Sequence, residues 1–188
     1  QDKVHYIKKS ADLGSCNSMR VYGIYLLNGE IIQQDINEAV KYIKMSAENG
    51  SDVGMIDYAD ILFVCDENPQ NKKDAAEYYK IAADLGNEKR IKNYAQMLYI
   101  GDGIDENKVL ALQYFKILAD KGDIHDISDY IYKLLLMNKT EEEKYKEAAD
   151  YINKEIKKGN YEHKEHFLNL VRKNIGIPIE KKEAAQYY

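Results

Sequence analysis

The chain has no tryptophan, two prolines, two cysteines and three phenylalanines in 188 residues. So little proline excludes a collagen-like or Pro-rich chain and leaves long stretches without a helix breaker. Cys16 and Cys65 are too few for a disulfide framework and suit a reducing compartment. No long apolar run exists either: Tyr130-Ile131-Tyr132 and then 134–137 are interrupted by Lys133, well short of the ~20 residues a membrane helix needs. An excess of positive charge is also missing, since Lys+Arg 27 against Asp+Glu 32 leaves −5, which removes nucleic acid as a default partner. No signal-peptide pattern is visible, and because the sequence opens at Gln1 rather than Met this says nothing about a leader. What remains, at 45% apolar residues, fits an ordered helical chain of one domain or one short repeat array.

The chain is repetitive. Gly14, Gly50, Gly86, Gly122 and Gly159 follow one another at intervals of 36, 36, 36 and 37 residues. Eight residues before each stands a tyrosine, Tyr6, Tyr42, Tyr78, Tyr114 and Tyr151, and the series continues at Tyr187. Three before come Ala11, Ala47, Ala83 and Ala119, with Ile156 as the exception; eight after come Tyr22, Tyr58, Tyr94, Tyr130 and Phe167. After each glycine, apolar or small residues at +5, +8, +9 and +12 mark one face of a helix, here helix A: Met19, Tyr22, Gly23 and Leu26 in the first unit, Ile91, Tyr94, Ala95 and Leu98 in the third. A loop follows, clearest as Gly101-Asp102-Gly103, and then a second stripe such as Ala75, Tyr78, Tyr79, Ala82 and Ala83 marks helix B. The recurring glycine is expected to end helix B in the left-handed conformation that a Cβ disfavours. One pair cannot bury its stripe alone, so the units are expected to stack into an all-α, α/α superhelical solenoid of about five helix-turn-helix repeats.

The divisions this predicts are 1–14, the end of a preceding repeat (a helix B without its helix A), then repeats at 15–50, 51–86, 87–122 and 123–159, and a truncated fifth at 160–188. Neither end carries a polar capping face, so the chain reads as a segment of a longer array or one whose ends are covered by partners.

The stretch Ala75-Ala76-Glu77-Tyr78-Tyr79-Lys80-Ile81-Ala82-Ala83-Asp84-Leu85-Gly86, followed by Asn93-Tyr94-Ala95-Gln96-Met97-Leu98-Tyr99-Ile100-Gly101-Asp102-Gly103-Ile104, resembles the Sel-1-like repeat family, a relative of the tetratricopeptide repeat. The resemblance runs along essentially the whole chain. It implies a tetratricopeptide-like solenoid acting as a non-enzymatic adaptor or scaffold in complex assembly, without cofactor or metal, in the cytoplasm. The alternative it implies is a lumenal adaptor of an endoplasmic-reticulum quality-control ubiquitin-ligase complex, which the sequons Asn49-Gly50-Ser51 and Asn138-Lys139-Thr140 would suit. A third is the secreted, β-lactam-handling branch with a cysteine pair in every unit. Cys16 and Cys65 instead lie in different units, about 20 Å apart along parallel helices, too far to bond. Departures from the pattern are the second loop, residues 65–71, the longer fourth loop, Lys164 at a core position, and Glu155 and Ile156 where helix B has small residues.

No constellation points to catalysis. Glu162, His163 and His166 share a helical turn but lack the His-Glu-x-x-His spacing, and a solvated polar face is the better reading; His125 and Asp129 are treated alike. Gly101-Asp102-Gly103 has neither phosphate-loop nor EF-hand spacing and reads as an inter-helix turn. Thr140 followed by Glu143 reads as a capping box.

A partner is expected on the concave face, where helix A turns positions +3, +7, +10 and +14 away from the core. These are Asn17, Val21, Ile24 and Asn28; Val53, Asp57, Asp60 and Val64; Lys89, Asn93, Gln96 and Ile100. In the last two units they are His125, Asp129, Tyr132 and Leu136, then Glu162, His166, Asn169 and Lys173. Valine, isoleucine, tyrosine and leucine among amides and charges suit an extended peptide, a partner helix or the subunits of a larger assembly. The +13 and +14 residues, from Leu27 through Phe63 and Tyr99 to Leu135, form a second apolar stripe whose favoured role is packing beneath the loops.

Overall fold

Each recurring glycine does what its backbone freedom allows. In the computed structural model, which describes residues 2–65 and 68–158, Gly14, Gly50, Gly86 and Gly122 have φ of 99°, 85°, 87° and 96°. At three of them two backbone bonds close the helix end in Schellman fashion: Gly14 N–H to Ala11 (2.9 Å) with Ser15 N–H to Ser10 (3.1 Å), and the same pair at Gly50 and Gly86. The following residue, Ser15, Ser51, Asn87 or Asp123, is extended and caps the next helix, its side chain accepting a backbone N–H two or three residues on. One glycine and one small polar residue thus end helix B and start helix A.

All described elements are helices. Residues 1–107 form one compact unit: α1 (Asp2–Asp12), α2 (Cys16–Asn28), α3 (Ile36–Glu48), α4 (Asp52–Val64), α5 (Pro69–Asp84) and α6 (Glu88–Ile100). Each packs on the next, and α2 also touches α4, so helices A (α2, α4, α6) alternate with helices B (α1, α3, α5). The second unit, 108–188, is described through α7 (Lys108–Ala119), α8 (Ile124–Leu135) and α9 (Glu141–Lys157), with α8 packed on both neighbours. Gly159, Phe167, Tyr187 and the fifth repeat lie outside the described residues.

The stripes form the core. Met19, Tyr22, Leu26, Ala39, Tyr42 and Ala11 bury one another, with Val4, Ile7, Leu27 and Ile32 against them. Small residues set the helix spacing: a Cβ on Gly23 would stand 2.6 Å from Ile43 Cγ1 and 3.0 Å from the Ala39 carbonyl. The two tyrosine series meet edge-on within a repeat, Tyr22 with Tyr42 at 4.8 Å and Tyr58 with Tyr78 at 5.5 Å between centroids, and Tyr130 meets Tyr151 at 4.9 Å. Tyr6 differs from its counterparts at 68% exposure, because no described helix A precedes α1. Buried Ser46 donates to the Cys16 carbonyl at 2.9 Å, and Glu155, unexpectedly inside the second unit, takes Lys158 at 2.7 Å. Both cysteines are free.

One inter-helix loop ties successive repeats together. Gly101 closes α6 in the left-handed region, and Asp102 takes Lys72 of α5 at 2.8 Å, so this turn fastens one repeat to the preceding one. Ahead of α9, Thr140 and Glu143 exchange the two reciprocal bonds of a capping box, 3.1 and 3.3 Å, and the hydroxyl bond from Thr140 holds the Glu143 carboxyl below its usual range.

Candidate partner-binding surface

In the first unit the helix A face opposite the core is drawn together by two arginines that cross between repeats. Arg20 of α2 donates through Nε to Asp57 of α4 at 2.6 Å. Arg90 of α6, only 6% exposed, donates through both terminal nitrogens to Asp60 of α4, at 2.6 and 2.8 Å. Asp60 also accepts from the Tyr79 hydroxyl at 2.8 Å, and the Arg90 guanidinium lies 5.4 Å over the Tyr79 ring. Burial first, and then the bond to Asp60, push the Tyr79 phenol well above its ordinary value. With its amide oxygen turned to Arg90, Asn93 accepts from it at 3.0 Å and donates to the Lys89 carbonyl at 3.2 Å.

The expected face therefore divides by role. Asp57 and Asp60 fasten α4 to its neighbours and are not open charges, and the Asn93 amide is engaged within α6 by Arg90 and the Lys89 carbonyl. Val21 and Ile24 are half-buried, while Asn17, Asn28, Lys89, Gln96, Val53, Val64 and Ile100 are exposed. Val64 and Ile100, exposed by 78% and 56%, are the last residues of their helices, so they form a rim rather than a floor. The second stripe divides only in part: at +13, Leu135 is buried and Leu27 and Tyr99 half-buried, but Phe63 is exposed, against the expected packing role, and the +14 residues point outward. A step of 100° per residue separates the two positions.

In the second unit His125 and Tyr132 of α8 and Leu136, the residue that caps its C-terminus, are exposed. Asp129 pairs with Lys133 at 3.0 Å, and Lys133 lies 4.6 Å over Phe115, so the i, i+4 carboxylate meets a lysine and not His125. His166, Asn169 and Lys173, with Glu162, His163 and Lys164, lie outside the described residues. No group of three His, Cys, Asp or Glu side chains able to hold a metal occurs among the described residues.

Two features escaped the sequence reading. The first is the pair Arg20 and Arg90, whose partners stand 37 and 30 residues away. A signal did exist, since Asp12 with Tyr42, Lys72 with Asp102 and Asp60 with Arg90 all bond across 30 residues. The second is a cleft of about 550 Å³ within the second unit, lined by Lys116, Tyr130, Lys139, Glu147, Asp150 and Lys154 among others. Its lysines and acids come from three elements, and no linear motif brings them together.

Comparison with known proteins agrees with this architecture. The family model of the Sel1 repeat matches residues 17–51, 69–87 and 92–123. The longer of its two internal gaps, 52–68, includes part of the divergent second loop. No curated protein matches the chain. Among solved structures the chain is similar to a Sel1 repeat protein from Oxalobacter formigenes, at 19% identity and a TM-score of 0.59, over 69% of this chain and 98% of that one. It is also similar to c5321, a protective antigen of uropathogenic Escherichia coli strains with an SLR fold, at 19% identity and a TM-score of 0.41, over 98% of this chain. The chain spans 47% of that longer protein.

Proposed function

We propose, from the premise that the chain belongs to the Sel1-repeat family, that it is a non-enzymatic scaffold holding a partner protein against its helices A. The observation that carries this reading is the division of each helix A into a stripe buried by stacking and an opposite face with accessible apolar side chains. In the first unit that face offers Val21, Ile24, Val64 and Ile100 beside the amides of Asn28 and Gln96. Its two carboxylates are neutralised by Arg20 and Arg90, so apolar anchors and amides dominate, which suits the side chains and backbone of a peptide or helix.

The cytoplasm is the proposed setting, on the strength of two free thiols. The lumenal alternative draws nothing further from its first sequon, because the Asn49 amide already donates to the Met45 carbonyl at 2.7 Å at a helix end.

The test is crosslinking mass spectrometry on the native protein captured from its own cells, read at Lys89 on the helix A face. Replacing Val21→Ala, Ile24→Ala and Gln96→Ala together should lower capture of the crosslinked partner about tenfold or more while the helical circular dichroism is kept. Undiminished capture would sink the groove reading.

A further inference from the structure

A second surface lies in the first unit where the helices A end. α2, α4 and α6 alternate with helices B that pack on them through short loops and so run antiparallel to them, which leaves the three helices A parallel to one another with their C-termini on one edge. None of the three has a basic residue in its last turn, so each brings the negative end of its dipole there with no cation on its own last turn. The described loop residues, 29–35, 65, 68 and 101–107, add Glu30, Asp35, Asp102, Asp105 and Glu106 and contain no lysine, arginine or histidine. The cations next to these loops in sequence are Lys72 and Lys73 of α5 and Lys108, the first residue of α7, and Lys72 is engaged by Asp102. Among these acids stand exposed apolar side chains: Ile31, Ile36, Phe63, Val64 and Ile100.

We propose that this edge docks a basic amphipathic helix of a partner protein, its leucine-like face on Ile31, Val64 and Ile100 and its flanking lysines or arginines on Glu30, Asp105 and the helix ends. Apolar contact with charge of a single sign around it selects for that chemistry and against an acidic or purely polar segment. Spacing suits a helix, since packed helices stand about 8–10 Å apart and two helical turns rise about 11 Å. Apolar side chains seven residues apart on the partner would therefore meet successive helix A ends. The surface shares Val64 and Ile100 with the rim of the helix A face and is distinguished from that face by Ile31, Glu30 and Asp105, while Val21, Ile24 and Gln96 lie outside it.

A fluorescent peptide of leucine and lysine with leucines at i, i+3, i+4 and i+7 serves as the probe, followed by anisotropy on the full chain. It should bind, more weakly as salt is raised, and a peptide of the same composition with scattered leucines should bind about tenfold more weakly or worse. Ile31→Ser/Val64→Ser/Ile100→Ser and, separately, Glu30→Lys/Asp105→Lys should each weaken the amphipathic peptide by about tenfold. The groove variant Ile24→Ala/Gln96→Ala should leave it unchanged. Because Glu30 and Asp105 are exposed, the charge-reversed protein keeps its fold and carries the test even if the serine variant loses helix. Equal binding by both peptides, undiminished binding to the charge-reversed protein, or loss in the groove variant instead would each overturn the proposal.

Discussion

Two glycines four residues apart are required for different reasons, and substitution separates them. Gly50 faces open space, so a side chain there would meet nothing, but its φ of +85° charges any L-residue the left-handed penalty of about 1–2 kcal/mol. Gly54, inside α4, has ordinary helical backbone, yet a Cβ would come within 2.9 Å of Ser46 Cβ and 3.0 Å of the Ala47 amide. Overpacking of this kind destabilises by about 1–3 kcal/mol. The two sites should respond oppositely to asparagine, which tolerates the left-handed region but is larger than alanine. Gly50→Asn should be milder than Gly50→Ala, and Gly54→Asn harsher than Gly54→Ala, as read from urea midpoints. The same order at both sites would mean that one of the two explanations fails.

Between elements, the linkage of α4 to α6 is the most exacting. Arg90 is buried, its Nε has no hydrogen-bond partner, and its charge is met by Asp60. Asp60→Ala would leave that guanidinium uncompensated and should cost about 3 kcal/mol, the lower end for buried pairs because Asp60 itself is partly open. Asp57→Ala, breaking the more accessible pair with Arg20, should cost about 1 kcal/mol or less. Adding Arg90→Met to Asp60→Ala should recover much of the loss in thermal denaturation, since removing both charges removes the desolvation problem; no recovery would show that Asp60 acts through something other than Arg90. These pairs also mark how far the sequence could be read. Helix existence, the buried stripes and the glycine ends follow from local period and backbone chemistry, and Met19, Tyr22 and Leu26 or Ile91, Tyr94 and Leu98 stand where their spacing puts them. The caps Ser15, Ser51, Asn87 and Asp123 were equally legible, one position after each glycine, and went unread. What spacing could not deliver was which face residues are free: Asp57 and Asp60 look like binding carboxylates until Arg20 and Arg90 arrive from other repeats, and only stacking brings them there.

For the molecule as a whole, tyrosine sets the response to pH. Burial, ahead of every other cause, raises the phenols of Tyr42, Tyr58, Tyr78, Tyr79, Tyr94, Tyr130 and Tyr151 above the ordinary value of 10.0. Tyr42 is raised further by its bond to Asp12 at 2.7 Å, and in Tyr151 the nearby Asp120 adds to the shift. Each folded-state value exceeds the unfolded one, so the native chain holds its phenol protons more tightly. The stability this represents is complete below pH 10.0 and is lost as pH climbs through the raised folded values. Alkaline denaturation should therefore begin only above that point and be cooperative, with tyrosinate absorbance from the buried rings rising together with the loss of far-ultraviolet helix signal. Tyr42→Phe keeps the ring against Tyr22 but removes the hydroxyl, and should lower neutral-pH stability by about 1 kcal/mol. The same variant should release about one proton fewer across the alkaline transition and so unfold over a shallower range. If the buried tyrosines instead ionised gradually while the helix signal held, the packed tyrosine pairs would be open to solvent, and their part in joining helix A to helix B would have to be given up.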